Sequence, residues 1–351
     1  MEKFIFEYLG FSCGISIPKN KEYVIEQIKQ EFNYYYKIYN TKDFKFCNCL
    51  VYIVEDAFSE KKFDGLVCIH SSHSQKRKIL LDGSYYFQED AKIEAYKKKI
   101  KNKIYYYIDK TKTKILADTE QKVIYMSGEN LYEMIIYIYE TLLNIFIEHN
   151  GGILVHGACF QWNNKGYIIT GKSGGGKSTL MFNALKKGAR YHSNDRVALF
   201  LEGDSVKAFS IPIPVNVPIE IMRNIDSWKN VDIVKQSPEN SKVRFLVGQL
   251  DQIFGKNITN AIRIDHIIAV NYSKEEPSYE VINKKNFLDY LDVLSPYDEN
   301  HPKWLPFFDY PDKKAVSKKI CSMGERIAIS LIKGRDTFKT FEKNFSDEHM
   351  K

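Results

Sequence analysis

The feature that most constrains the fold of this chain is a glycine-rich segment, GKSGGGKST, which runs from Gly171 to Thr179. It matches the pattern G-x-x-x-x-G-K-[ST] without a mismatch, and that pattern describes a loop whose backbone amides surround phosphate groups. Glycines let successive N–H groups point inward, because they adopt backbone angles closed to other residues. In such a loop Lys177 contributes a positive charge to the β- and γ-phosphates, and Ser178 offers a hydroxyl to Mg²⁺. The predicted phosphate-binding residues are Gly171, Ser173, Gly174, Gly175, Gly176, Lys177, Ser178 and Thr179.

The sequence around this segment has the pattern of a strand before it and a helix after it. Tyr167–Ile169 is an apolar run typical of a buried strand, whereas Leu180–Lys187 is amphipathic and is followed by Gly188, which is suited to end a helix. Further upstream, Ile153–Phe160 and Gly166–Thr170 are predicted as two strands joined by a turn. This context indicates an α/β nucleotide-binding domain.

Three polar residues outside the loop are candidates for the chemistry of the site. Asp195, in HSNDRV, follows a short predicted strand at Ala189–Ser193, and its carboxylate is the expected protein ligand of Mg²⁺ together with Ser178. Its neighbour is Asn194. His156, in VHGA, lies on the strand before the loop, although a lone histidine in an apolar strand is more often a packed core residue. Weaker candidates for phosphate or substrate contacts are Arg196, Arg223 and Arg244.

The remaining sequence predicts a smaller, strand-rich N-terminal domain in front of the catalytic domain. Residues 1–126 are predicted as short strands with one early helix at Glu22–Tyr36, and they contain no recognisable chemical motif. Residues 127–351 form the predicted catalytic domain, which begins with an apolar helix at Asn130–His149. Two glutamates inside that helix favour burial over a membrane span. Two further helices are predicted at Asn286–Leu294 and Lys314–Lys333.

Composition favours a globular protein with a substantial core, since 44% of the residues are hydrophobic and 27% are charged. The net charge is +7, but lysines and glutamates are interleaved along the chain. The basic stretch Lys97–Lys103 is therefore interpreted as exposed surface, and neither nucleic acid nor a membrane is expected as a partner. The six cysteines are scattered, which predicts reduced thiols, and the N-terminal sequence lacks a signal-type apolar segment. These observations favour a cytoplasmic protein.

Residues 153 to about 200 resemble the catalytic core of the HPr kinase/phosphorylase family, and more closely the HPr-kinase-like peptide kinases encoded beside modified peptides. The shared layout is His-Gly, a hairpin, a phosphate loop of the type G-x-S-G-x-G-K-S, a helix that ends in glycine, and an acidic pair. The resemblance implies the fold of phosphoenolpyruvate carboxykinase. It also implies transfer of the γ-phosphoryl group of ATP, with Mg²⁺, to a serine hydroxyl. Related kinases are often oligomers, so a homo-oligomer is compatible with the resemblance.

One departure from the family concerns the acidic pair, which corresponds here to Asn194 and Asp195. In the family the first member of the pair helps to accept the serine proton, which an asparagine cannot do. Three options stay open: Asp195 serves both metal and proton, His156 contributes, or the transfer is altered. The predicted catalytic residues are Lys177, Asp195, His156 and Asn194. The family's second signature region is not recognisable, so neither phosphorylase activity nor HPr itself as a substrate is expected.

The expected function is an ATP-dependent kinase that phosphorylates a hydroxyl, in first place a serine of a peptide or protein. One alternative is a kinase with a small-molecule acceptor such as a sugar, a nucleoside or an amino acid, because the acceptor site is not readable from the sequence. Another is an ATP-binding scaffold that transfers nothing, for which Asn194 is the main support.

Overall fold

The computed structural model of the chain describes all residues except 33, 56–57, 59–62, 73–74, 80–84, 90–92, 172–173, 212, 214, 219–220, 222–234, 237–241, 255–257, 283–306, 309–317, 319–320 and 347–351. The described part is a mixed α/β structure with several sheets, in which strands predominate. It divides into two compact units, Met1–Phe146 with Ser295–Tyr310, and Ile147–Leu294 with Pro311–Lys351. This division falls near the end of the long apolar helix, whereas the sequence places a boundary at residue 126.

The first unit contains the strands β1 (Glu2–Tyr8), β2 (Phe11–Ile17), β3 (Lys37–Asn40), β4 (Cys49–Ile53), β5 (Val67–Ser72), β6 (Gln75–Ile79), β7 (Tyr85–Glu89), β8 (Ile93–Ile100), β9 (Lys103–Ile108), β10 (Thr113–Asp118) and β11 (Val123–Ser127). Among these described strands, β6 and β7 pair with each other, and the others form a sheet in the order β3-β1-β2-β4-β11-β10-β9-β8-β5. Its helices are α1 (Tyr23–Phe32), α2 (Leu131–His149) and short 3₁₀ turns at Lys19–Lys21 and Asp109–Thr111.

Helix α2 is buried against this sheet, as its apolar sequence predicts. Its Tyr139 is fully buried, and the ring lies 5.4 Å from that of Phe6 on β1 and 5.6 Å from that of Phe11 on β2. Asn130 begins the helix, because its side-chain oxygen accepts a hydrogen bond from the backbone N–H of Glu133 at 3.2 Å. Within the described part of the chain, no helix combines the length and apolar character needed to cross a membrane.

The second unit contains the strands β12 (Ile153–His156), β13 (Ala158–Trp162), β14 (Lys165–Thr170), β15 (Arg190–Ser193), β16 (Arg196–Glu202), β17 (Ser205–Ser210), β18 (Val215–Pro218), β19 (Lys235–Gln236), β20 (Lys242–Phe245), β21 (Ala261–Ile264), β22 (His266–Asn271), β23 (Ser278–Val281) and β24 (Ala328–Lys333). Its described helices include α3 (Lys177–Lys186), α4 (Val247–Phe254) and α5 (Thr337–Phe345). The described strands form sheets in the orders β15-β13-β14-β22-β24-β23, β12-β16-β17-β21 and β18-β20-β19. In the first of these sheets, β14, β22 and β24 run parallel to one another.

Side chains alternate between the two faces of the sheet that contains β14, and each face has its own core. On one face, Cys159 and Ile168 are fully buried in an aliphatic cluster with residues of β12, β16 and β17. On the other face, Phe160 and Tyr167 pack against Phe341 of α5, with ring centroids 5.7 and 5.1 Å away. Because side chains alternate along each strand, the sheet that contains β14 lies between two other layers. One layer is helix α5, and the other is the sheet that contains β12, β16 and β17.

Two predictions about secondary structure are wrong. Ile153–Phe160 is not one strand, because the chain leaves the β12 sheet at Gly157 and enters the β14 sheet as β13. A Cβ on Gly157 would lie 2.9 Å from the carbonyl oxygen of Ile169, so this crossing requires a glycine. The predicted helix Lys314–Lys333 is wrong in its last six residues, which form strand β24, because parallel pairing with β22 outweighs local helical preference. Residues 321–324 are helical, whereas 314–317 and 319–320 lie outside the described residues. The predicted helix Asn286–Leu294 lies outside the described residues.

Candidate active site

The glycine-rich segment joins the C-terminal end of β14 to the N-terminal end of α3. Gly171, Gly174 and Gly176 have positive φ values of 139°, 78° and 98°. A Cβ on Gly171 would lie only 2.3 Å from the carbonyl oxygen of Val270, so this position admits no other residue without movement of the backbone. The segment therefore has the backbone freedom and the helix N terminus that a phosphate cradle needs. Ser173, one of the predicted phosphate ligands, lies outside the described residues.

Lys177 is the first residue of α3, and its side chain folds back over the loop. Its Nζ donates a hydrogen bond to the carbonyl oxygen of Gly171 at 2.6 Å. Ser178 is half-buried and Thr179 is exposed. Because the first N–H groups of a helix have no partner within the helix, this turn presents backbone donors beside an ammonium group.

Helix α3 ends in a glycine C-cap, after which the chain returns to the sheet beside the site. Gly188 has a φ of 91°, its N–H donates to the carbonyl of Leu185, and the N–H of Ala189 donates to the carbonyl of Ala184, both at 3.0 Å. These two bonds define a Schellman C-cap, as Gly188 suggests in the sequence. Strand β15 follows directly and pairs with β13, so the residues after β15 lie next to the β12–β13 crossing.

Three charged or titratable side chains meet at this crossing. The Nε2 atom of His156 lies 3.1 Å from Oδ1 of Asp195, and Nε of Arg196 lies 3.5 Å from Oδ2 of the same carboxylate. Antiparallel pairing of β12 with β16 places His156 opposite Arg196. Each carboxylate oxygen of Asp195 thus has a partner. The side chain is nevertheless 37% exposed, so the carboxylate also reaches solvent.

Gly157 connects this cluster to the strand that carries the glycine-rich loop. Its N–H donates to the carbonyl of Asp195 at 2.8 Å, and the next residue, Ala158, pairs with Ile169, two residues before Gly171. The His156–Asp195 pair therefore lies beside the end of β14. The structure brings together His156, Asp195 and Arg196, with the loop glycines and Lys177 at the neighbouring strand end.

Asn194 has a different environment from Asp195, although the two are adjacent. It is 8% exposed, and its Oδ1 accepts a hydrogen bond from the hydroxyl of Tyr191 at 3.1 Å. His192 is fully buried, and its Nδ1 donates to the carbonyl of Thr259 at 2.7 Å. Burial lowers the pKa of His192 to about 4. Both residues hold the end of β15 in place, and His192 is neutral near pH 7.

The protein donors suit a magnesium ion that is held largely by phosphates. In the described part of the chain, no group of three or more His, Cys, Asp and Glu side chains could hold a metal by itself. Mg²⁺ bound with a nucleotide needs only one or two protein oxygens, since phosphates and water complete its octahedron. The hydroxyl of Ser178 and the carboxylate of Asp195 are oxygens of that kind.

Of the weaker candidates for phosphate or substrate contacts, Arg223 and the side chain of Arg244 lie outside the described residues.

Two residues beside the loop were not anticipated from the sequence. Cβ of Tyr272 and Oγ1 of Thr337 each lie 3.6 Å from the position that a Cβ on Gly176 would occupy. Tyr272 follows β22 and Thr337 begins α5, so both reach the loop through pairing of parallel strands. No local signal marks them, because their proximity depends on the order of strands in the sheet.

Comparison with known proteins gives a distant structural relationship only. No family profile matches the sequence, and no curated protein matches it. Among solved structures, the chain is similar to the Hpr(Ser) kinase/phosphatase from Coxiella burnetii, with 13% sequence identity and a TM-score of 0.26. The match covers 56% of this chain and 97% of that chain.

Proposed function

We propose that this chain is an ATP-dependent kinase that transfers the γ-phosphoryl group to a hydroxyl, in first place a serine of a peptide or protein. The observation that carries the proposal is the backbone of the Gly171–Thr179 loop between a buried strand and a helix N terminus. Three of its glycines have positive φ, and its lysine side chain folds over it. A loop of this kind recognises a polyphosphate rather than a single uncharged ligand.

The residues of the site divide the work of phosphoryl transfer between them. The loop amides and Lys177 bind the β- and γ-phosphates and stabilise the charge that develops on the transferring group. Ser178 and Asp195 would hold Mg²⁺, which supplies further neutralisation of that charge when it is bound. The acceptor oxygen bonds to the γ-phosphorus while the bond to the bridging β–γ oxygen breaks, so ADP leaves.

The hydroxyl proton needs an acceptor, and the His156–Asp195 pair provides two. Asp195 can take the proton directly, with His156 orienting the carboxylate through the 3.1 Å contact. Alternatively, a neutral His156 takes the proton and Asp195 stabilises the resulting imidazolium. Asn194 is buried and bonded to Tyr191, so its proposed contribution is to position Asp195 rather than to carry a proton.

The decisive experiment is transfer of labelled γ-phosphate from ATP, with Mg²⁺, to the peptides encoded by neighbouring genes, read by mass spectrometry. We expect one phosphate on a serine of such a peptide, formed far more slowly with the Lys177→Ala variant. Phosphorylation of a small hydroxyl compound instead would establish the small-molecule kinase. Tight ATP binding without transfer to either class of acceptor would establish the scaffold and contradict the proposal.

A further inference from the structure

The order of strands around β14 gives the phosphate loop two different sides. On one side, β13 and β15 lead to Asp195 and His156. On the other side lie β22 and β24, which run parallel to β14 and so end at the same edge of the sheet. A nucleoside triphosphate is elongated, with the γ-phosphate at one end and the nucleoside at the other. If the γ-phosphate lies at Asp195 and the triphosphate crosses the loop, the nucleoside lies on the β22 side. Ligands of open α/β sheets commonly bind across the carboxyl ends of parallel strands.

Tyr272 lies on that side of the loop. Its backbone N–H donates to the carbonyl of Gly175 at 3.1 Å, and its Cβ lies 3.6 Å from the Cβ position of Gly176. Tyr272 is nevertheless 56% exposed. A large aromatic side chain that is anchored to a phosphate loop and open to solvent is suited to stack on a planar ring.

The segment that carries Tyr272 is fixed by the connection that follows β24. The N–H of Gly334 donates to the carbonyl of Asn271 at 3.1 Å, and the N–H of Arg335 donates to that of Glu275 at 3.0 Å. The guanidinium of Arg335 also pairs with the carboxylate of Glu276. These bonds hold the backbone on both sides of Tyr272, so a bound ring would meet a preorganised surface at low entropic cost.

We infer that Tyr272 is the stacking platform for the base of the nucleotide whose phosphates occupy the Gly171–Thr179 loop. This inference rests on the proposed function, because it takes the γ-phosphate to lie at Asp195. Stacking on an aromatic side chain recognises the π-face that every base offers. The ligand class is therefore a nucleoside triphosphate, bound at its base by an aromatic surface and at its phosphates by the loop.

The test compares binding of ATP with binding of inorganic tripolyphosphate, both with Mg²⁺, by isothermal titration calorimetry on the full chain. Loss of a base–aromatic stack corresponds to roughly a 5- to 150-fold change in affinity. We expect Tyr272→Ala to weaken ATP binding by that factor and to leave tripolyphosphate binding unchanged. Tyr272→Phe keeps the ring and should bind ATP as the wild type does. Tyr23→Ala, which changes a tyrosine of similar exposure in the first unit, is the matched control.

The outcomes separate this inference from the proposed function. If Tyr272→Ala weakens both ligands equally, the residue supports the loop and the stacking role is wrong. If wild-type protein binds ATP no more tightly than tripolyphosphate, the base is not recognised, although the phosphate site stands. Wild-type protein that binds neither ligand would contradict both proposals.

Discussion

Lys177 is the residue on which the proposed phosphate chemistry depends most. Its ammonium reaches back to the Gly171 carbonyl at 2.6 Å, so it lies over the loop where the transferring group would bind. We expect Lys177→Ala to lower the turnover by about 10²–10³-fold, the usual cost of removing one stabilising donor. Lys186→Ala removes a lysine from the last turn of the same helix and should leave turnover unchanged. Circular dichroism of both variants checks that the fold is retained.

The contact between His156 and Asp195 allows the proton acceptor to be identified by paired variants. If Asp195 accepts the proton, Asp195→Asn should abolish transfer, while nucleotide binding weakens modestly through loss of one metal ligand. If His156 accepts it, His156→Gln should cost about 10²–10⁴-fold, and the wild-type rate should fall as the imidazole becomes protonated. Single-turnover transfer at several pH values distinguishes the two. Rates close to wild type in both variants would remove this pair from catalysis.

At the scale of elements, replacing a glycine of positive φ can destabilise the fold in two ways. One is the strained backbone of the new residue, and the other is a clash of its Cβ with a neighbouring atom. Gly171 and Gly188 both have positive φ, but only Gly171 also has a close neighbour, the Val270 carbonyl at 2.3 Å from a Cβ. Gly188→Ala should therefore lower the free energy of unfolding by about 1–2 kcal/mol, the cost of left-handed backbone alone. Gly171→Ala should cost more and should also abolish phosphate binding, because the loop must move. Urea unfolding of the two variants measures the difference, and equal losses would contradict this account.

The C-terminal helix is held by aromatic packing that a second pair of variants can measure. Phe341 is fully buried, and its ring contacts those of Phe160, Trp162 and Tyr167. Phe341→Ala should lower the free energy of unfolding by about 3–5 kcal/mol, as expected for a buried phenylalanine. Phe338→Ala, on a half-buried turn of the same helix, should cost clearly less. Thermal unfolding compares the stability losses of the two variants. A larger loss for Phe338→Ala than for Phe341→Ala would contradict this packing of the helix.

The sequence predicts those elements whose signals are local. Strand β14, helix α3 and its cap at Gly188 are confirmed within one to three residues. The sequence predicts neither the strand break at Gly157 nor strand β24, because each depends on a distant partner. That partner is Ile169 for Gly157 and β22 for β24. An apolar run such as AISLIK satisfies a helix or a buried strand equally well by pattern.

In the candidate site, too, residues with local sequence signals are predicted, whereas contacts between distant residues are not. The loop residues are recognisable as candidates from their spacing, since the motif consists of neighbours in the chain. The contact between His156 and Asp195 is set by the register of β12 with β16, which links residues far apart in sequence. Asp195 and His156 stand out separately as candidates, but their 3.1 Å contact and the nearby Arg196 need the tertiary structure. Their catalytic roles stay predictions.

At the scale of the whole molecule, burial of His192 links stability to pH. Burial lowers the pKa of this residue to about 4, whereas the imidazole of an unfolded chain titrates near 6.5. Between these values the unfolded state binds more protons than the native state, so the free energy of unfolding rises with pH. The stabilising contribution is complete above about pH 6.5 and is lost as the pH falls toward 4. Its full size is roughly 3 kcal/mol, from the difference between the two pKa values.

A variant without the imidazole tests this linkage. We expect His192→Gln to be less stable than the wild type near pH 7, because the bond to the Thr259 carbonyl is disturbed. The gap should narrow as the pH falls from 6.5 to 4, since only the wild type then loses stability by protonating His192. Carboxylates titrate in both proteins and cancel in the comparison. Urea unfolding at half-unit steps of pH measures the gap, and a gap that stays constant would show that His192 titrates alike in the native and unfolded states.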